Sequence, residues 1–368
     1  LFKEPLTFSF KNQDYGGLVL VLVLLAIGGI AVNSATEGTK LESYGMREWL
    51  YISVAVLALC TALYIPYTVW IEYGYILYGI IVITLVLLPI FGKSVSGSKS
   101  WLGVGTFSFQ PSEIAKPFTI LALCSYIRDE DTNRFTLRDF AILFGIIFVP
   151  FFLTLLQPDF GTAVTFLALV PAVLVFSDLK LKEILKICAI GFAVLAILFG
   201  LSWVSFFKPY QKERVLTFLN PSRDTQKAGY QVNQAKIAVG SGKFYGKGLH
   251  SGTQNRLNFL PAPHTDFIFA VIGEELGFIG ASFVIILFLL LLNKFLIICE
   301  NAKTREGSFL CIAVFFLFLL HILVNIGMVL GLFPIMGIPL PFLSFGGSFL
   351  VSAALLSGLA LNVGSYQY

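Results

Sequence analysis

The chain has 368 residues, 57% of them hydrophobic and only 12% charged, with a mean hydropathy of +0.85 and a net charge of +4. Soluble domains carry roughly 25% charged residues, so a water-soluble globule is excluded and a polytopic membrane protein is expected. The charge is uneven: Lys208 to Asp266 holds nine Lys/Arg against three acids, while the rest of the chain sums to −2. A basic segment at a membrane surface suits anionic lipid heads or phosphates, and no basic domain stands free of the membrane to hold nucleic acid.

A span needs about 20 apolar residues. Ten segments qualify, centred on Leu18–Val32, Trp49–Tyr67, Tyr73–Phe91, Ile114–Ile127, Phe140–Leu156, Thr162–Phe176, Ile184–Phe207, Phe269–Cys299, Phe309–Leu332 and Phe342–Val363. The first lacks a small-residue cleavage site and reads as a retained span. The 37 Phe and 33 Gly suit helices packed in lipid, where small residues permit close approach. All five cysteines fall in or at the ends of apolar runs and read as small buried hydrophobes, and with three His there is no zinc pattern.

Orientation follows from Lys/Arg in the short loops. With the N-terminus inside, the cytoplasmic segments hold eleven (Lys3, Lys11, Arg128, Arg134, Arg138, Lys180, Lys182, Lys186, Lys294, Lys303, Arg305) against four outside (Lys40, Arg47, Lys93, Lys99). The expected fold is therefore all-α: ten transmembrane helices in one integral membrane domain over residues 1–368, both termini cytoplasmic. A large extracytoplasmic loop, about residues 208–266, joins the seventh and eighth helices. No inverted pair of broken spans marks a transporter.

The polar features lie in chain order along this frame. Gly97 to Gly105 contains Lys99 and Trp101; Trp101 is an interfacial belt residue or part of a loop folded back against a site. Gln110-Pro111-Ser112-Glu113-Ile114-Ala115-Lys116 opens the fourth span, with Ser112 as its expected cap and Pro111 suited to its start. Glu113 and Lys116 are i,i+3 neighbours. Each charge costs about 2.5–3.5 kcal/mol at mid-membrane, so the pair lines a polar cavity or orients the helix edge. Gln157-Pro158-Asp159-Phe160-Gly161-Thr162 joins spans five and six, where Asp159 either caps the next helix or does chemistry.

Within the long loop, Tyr210–Leu219 and Tyr230–Val239 read as short helices. Gly240 to Gly248, with Lys243 and Lys247, lacks the spacing of a phosphate-binding P-loop, but its N–H groups and lysines suit a phosphate as well as they suit a plain flexible loop. His264-Thr265-Asp266 cannot form a triad from adjacent residues; Asp266, a carboxylate beside the mouth of a span, reads as a lone general base with His264 as neighbour or structural partner. Of Glu274 and Glu275, within the eighth span, at least one must face protein or water. His321 and Asn325, i,i+4, are expected to hydrogen-bond between helices.

Together Gln110–Lys116, Gln157–Thr162, His264 to Gly277, Asn325 to Gly331 and Gly337 to Ser348 resemble the SEDS family (shape, elongation, division and sporulation), in order and over nearly the whole chain. The Ile338-Pro339-Leu340-Pro341-Phe342 run is more like the family's elongation members than its division members, and Phe345 stands where the family usually has Tyr. The resemblance implies a ten-span peptidoglycan glycosyltransferase of the bacterial inner membrane, polymerising lipid II during cell-wall growth and setting cell shape. It places the essential aspartate on Asp266, and supporting or substrate-binding roles on Trp101, Glu113 and Lys116. It also implies a class B penicillin-binding protein as partner.

The chemistry agrees with the residues. A 4-hydroxyl attacks the anomeric carbon of a diphosphate-linked sugar with inversion, so one carboxylate suffices to take the proton. Diphosphate leaves without an acid, unlike the leaving group of a glycosidase. It does need positive charge or oriented N–H groups: Lys99, Lys116, the basic loop with Lys243, or a divalent cation (Mg or Mn), for which no carboxylate cluster is evident. Asp159, His264 and Thr265 complete the supporting candidates. A lipid II flippase and a non-catalytic scaffold of the cell-wall machinery are the competing readings.

Overall fold

A computed structural model describes residues 14–39, 42–95, 98–104, 107–129, 135–177, 179–180, 182–183, 185–186, 189, 228–256, 259–260 and 262–366. Its helices are α1 (Tyr15–Thr36), α2 (Glu42–Tyr64), α3 (Tyr67–Glu72), α4 (Gly74–Phe91), α5 (Pro111–Asp129), α6 (Leu137–Leu156), α7 (Phe160–Phe166) and α8 (Leu169–Phe176). After them come α9 (Ala228–Ser241), α10 (Thr253–Arg256), α11 (Ile268–Asn301), α12 (Arg305–Val329) and α13 (Gly347–Gly364). Seven of these, α1, α2, α4, α6, α11, α12 and α13, are long and apolar enough to cross a membrane. The expected seventh span, Ile184–Phe207, and the Tyr210–Leu219 helix lie outside the described residues apart from a few positions of the former.

Side-chain caps and prolines set the helix ends. Asp14 accepts from Gly17 N at 3.0 Å to start α1, and Lys294 reaches the same carboxylate at 3.2 Å, tying α1 to the far end of α11. A reciprocal capping box of Thr136 and Asp139 starts α6, and Thr304 starts α12 through Gly307 N. Pro66 follows the end of α2 at Tyr64, three residues short of the expected limit. The sixth expected span is two short helices in series, α7 and α8. The last helix begins at Gly347, because Phe342 sits in a turn with φ 65°.

Helix α13 is the core: nearly all of it is buried, and small residues let it lie against α2. Gly358 marks the closest approach, where a Cβ would stand 2.6 Å from the Ala62 methyl. By contrast α4 turns Ile76, Ile80, Ile83, Leu87 and Ile90 outward, as a lipid-facing helix must. Cys124 and Cys311 are buried, as expected of small hydrophobes, but Cys60 faces out from α2 and does not conform.

The all-α expectation needs one correction. Three short strands, β1 (Lys93–Val95), β2 (Ser98–Val104) and β3 (Phe107–Phe109), pair as an antiparallel sheet in the order β1-β2-β3. Lys93 pairs with Trp101 and Leu102 with Phe109. The strands are three to seven residues long, too short for alternation to stand out in a glycine-rich stretch.

Candidate active site

The His264–Asp266 turn leads into α11 and is held by its backbone. His264 O accepts from Phe345 N at 2.8 Å, Thr265 O from Ser344 Oγ at 2.8 Å, and Asp266 O from Asn325 Nδ2 at 3.0 Å. All three carbonyls are thus fixed by the 325–345 region, and the half-buried Asp266 carboxylate is presented on a rigid support. On one side of it lies Gly337, with φ 70°, where a Cβ would stand 3.5 Å from Asp266 Oδ2. The His264 ring stacks on Tyr44, centroids 5.5 Å apart and 10° between planes, and meets the edge of Phe345. His264 is therefore a structural partner of the turn. Burial holds its imidazole below its ordinary range, so it stays neutral. Thr265 donates its hydroxyl to Ala262 O at 3.3 Å, closing the turn.

The expected pair is formed: Lys116 Nζ donates to Glu113 Oε2 at 2.8 Å, both side chains almost fully buried. Lys116 also contacts His321 Nε2 at 3.3 Å and lies over the Phe349 ring. Its charge is directed at these partners rather than at open space. Ser352 Oγ donates to Glu113 O at 2.8 Å. Ser112 does not cap α5; its buried hydroxyl finds no hydrogen-bond partner, because the helix starts one residue earlier at Pro111.

Asp159 does cap α7, accepting from Thr162 N at 3.2 Å, and its other oxygen accepts from Gln110 Nε2 at 2.7 Å. Burial pushes its carboxyl up, and the Thr162 and Gln110 hydrogen bonds oppose that. Gln110 N in turn donates to Ser348 Oγ at 2.9 Å. Two residues beyond Asp159, Gly161 lies against the Met336 carbonyl with no room for a Cβ. The start of α7, the Met336–Gly337 backbone and Asp266 are therefore successive neighbours. Asp266 and the start of α7 adjoin the Met336–Gly337 backbone, whereas Glu113 and Lys116 meet Ser352 and Phe349 at the start of α13.

Lys99 and Trp101 lie on β2, Lys99 exposed and Trp101 half-buried. Lys243 is also exposed, with φ 51°, at the end of α9, which covers the expected Tyr230–Val239 helix.

The glycine loop after α9 splints a break in α11. Helix α11 breaks at Gly277, φ 66° and ψ −163°. Phe278 N and Ile279 N, which lose their partners one turn back, donate to Lys243 O and Phe244 O. The stranded carbonyls of Glu274 and Glu275 accept from Lys247 N and Gly248 N. Four loop groups thus replace the ladder lost at the break. Both acids are buried and partnered: Glu274 accepts from Lys247 Nζ at 2.6 Å and Thr253 N at 2.9 Å, and Glu275 from Ser34 Oγ at 2.7 Å. Among the described residues, no three His, Cys, Asp or Glu side chains converge as a metal site requires.

The arrangement has recognisable relatives. The family model FTSW_RODA_SPOVE, described as a cell cycle protein, matches residues 17–368. The chain belongs to this family. Stage V sporulation protein E of Bacillus subtilis is 34% identical across 98% of this chain and 100% of its own length. The peptidoglycan glycosyltransferase MrdB of Escherichia coli K12 is 34% identical across 95% of this chain and 93% of its own. A chain of a peptidoglycan synthase complex, described as coordinating polymerization and crosslinking, superposes with a TM-score of 0.80 at 27% identity, covering 97% of this chain and 98% of that one. RodA of Thermus thermophilus superposes at 0.70 with 25% identity, over 97% and 98%. The fold is RodA-like and the protein is multi-pass.

In this FtsW/RodA/SpoVE member, the residues missing from the sequence reading are the ones that hold the others. Gln110 as ligand of Asp159, and Ser344 as ligand of Thr265, carry no local signal, since their partners lie 49 and 79 residues away. Asn325 and His321 were expected to bridge helices; His321 does so through Lys116, while Asn325 reaches two backbone carbonyls instead.

Proposed function

We propose that this protein is a peptidoglycan glycosyltransferase that polymerises lipid II at the outer face of the bacterial inner membrane during elongation. One observation carries the reading: a single carboxylate, Asp266, stands on a turn whose three carbonyls are all pinned. Thirty-four per cent identity to MrdB over nearly the whole chain supports the reaction class.

Asp266 acts as general base. It takes the proton of the acceptor's 4-hydroxyl as that oxygen bonds to the anomeric carbon of the donor sugar. The bond from that carbon to the diphosphate oxygen breaks, its electron pair leaves with undecaprenyl diphosphate, and the configuration inverts. Exposed Lys99 and Lys243 are the cations suited to the diphosphate, and Trp101 offers a half-buried aromatic face to the sugar or carrier. Lys116, committed to Glu113 and His321, supports the site rather than the leaving group.

Ten spans, cytoplasmic termini and an outward loop of about residues 208–266 complete the topology, supported by eleven basic residues against four. Similarity to a chain from a complex coordinating polymerization and crosslinking supports a class B penicillin-binding protein as partner.

Purified protein with labelled lipid II in detergent tests this reading. Wild type makes long glycan, and Asp266→Asn loses about 10²–10⁴-fold in rate while melting normally and binding lipid II. Glycan at wild-type rate from Asp266→Asn removes Asp266 as base. No glycan from wild type leaves the flippase or the scaffold.

A further inference from the structure

Helix α12 carries His321 and Asn325 four residues apart on one face, both buried. Asn325 spends both hydrogens of its amide: one goes to Asp266 O at 3.0 Å, the other to Ile338 O at 2.8 Å. His321 Nδ1 meets Pro339 O at 3.0 Å. A carbonyl only accepts, so Nδ1 carries the hydrogen. The other nitrogen, Nε2, is then a lone pair, and it faces the Lys116 ammonium at 3.3 Å. The neutral imidazole is thereby a spacer with one donor and one acceptor, and both are used.

We infer that His321 and Asn325 are positioning residues for the transfer reaction: they clamp the Ile338–Pro339 backbone and the Asp266 carbonyl, and link both to the Lys116–Glu113 pair. The inference rests on Asp266 being the base. It gives the buried pair a role without substrate contact. Glu113 holds Lys116, Lys116 holds the His321 ring, the ring holds Pro339, and Asn325 holds the preceding carbonyl together with Asp266. Displacing a reacting group by about 1 Å can cost on the order of 10²-fold in rate. A hydrogen-bonded strap over the base is therefore worth more to catalysis than to stability.

The test uses full-length variants in the detergent assay, with kcat and KM measured separately and melting followed in parallel. His321→Phe keeps an aromatic ring beside Phe349, now 5.1 Å away, and removes both bonds. His321→Gln keeps one donor and one acceptor. We expect His321→Phe and Asn325→Ala to lower kcat about 10–100-fold with KM within about threefold. His321→Gln recovers most of that loss. Lys116→Met combined with His321→Phe loses no more than the worse single variant, because both act through one relay. Full kcat in His321→Phe overturns the inference, as does a Gln variant no better than Phe, or losses that multiply in the double variant. Should Asn325→Ala fail to fold, the His321 series decides alone, since it leaves the three bonds to the turn in place. Asp266→Asn at wild-type rate sinks the base and this inference together; an inactive Asp266→Asn beside a fully active His321→Phe sinks only the inference.

Discussion

Gly246 and Gly277 face each other across the break in α11 so closely that neither has room for a Cβ: a methyl on Gly277 would overlap Gly246 N, and one on Gly246 would overlap Glu275 O. Both residues also have positive φ, 79° and 66°. Gly277→Ala therefore incurs both strain and overlap, and we expect about 2–4 kcal/mol of destabilisation. Thermal melting in detergent reads this directly. Wild-type melting of Gly277→Ala would mean that the loop yields easily and does not splint the helix.

The Glu113–Lys116 pair predicts a non-additive pattern. Removing either partner leaves an uncompensated charge among apolar side chains, at about 3–5 kcal/mol. Glu113→Ala and Lys116→Met should each melt well below wild type, whereas Glu113→Leu with Lys116→Met should recover much of the loss. Activity should not recover with it, since the link to His321 is gone. A double variant that melts as low as both losses combined would refute the pairing.

His264 gives the protein an acid-sensitive element. Burial lowers its folded pKa, so the unfolded chain binds the proton first as pH falls. Its contribution is complete above the unfolded value of about 6.5 and is lost below it. From about pH 7.5 to about pH 5.5, wild type should lose more melting temperature than His264→Phe, which keeps a ring against Tyr44. Equal losses in the two proteins would show that His264 is not titrating in that range.

Topology is open to a labelling test. Ser251 is exposed, in the loop proposed to face outward. A cysteine placed there should react with a membrane-impermeant thiol reagent on intact cells, and one at Asn133 should not. The reverse pattern would invert the protein in the membrane.

The parts of this molecule legible in the sequence are those whose cause is local. Hydropathy located the long helices, although α2 starts at Glu42, well before the expected Trp49, and α13 at Gly347, after the expected Phe342. The i,i+3 spacing found the Glu113–Lys116 pair, and the short connection before α7 made a cap one of the two roles open to Asp159. Non-local causes stayed hidden. Nothing in the Gly240–Gly248 loop announces that two of its N–H groups, those of Lys247 and Gly248, serve the carbonyls of Glu274 and Glu275, 27 residues on. The support of Asp266 comes from Asn325, 59 residues away, and nothing near either residue announces it. Ser112 shows the opposite failure: a good capping residue displaced because proline one position earlier is a better first residue.

The break at Gly277 also settles a question of length. Helix α11 has 34 residues, about 51 Å if straight, far more than the roughly 30 Å of hydrocarbon in a bilayer. From Phe278 to Asn301 it has 24 residues, about 36 Å, which already fills that thickness. The remaining nine, Ile268 to Leu276, are therefore not needed to cross it. A membrane that thins or thickens is met by tilt in the long segment, while the short one, stitched to its own loop, can keep its depth. Asp266 lies two residues before that short segment, so the proposed base would share its depth.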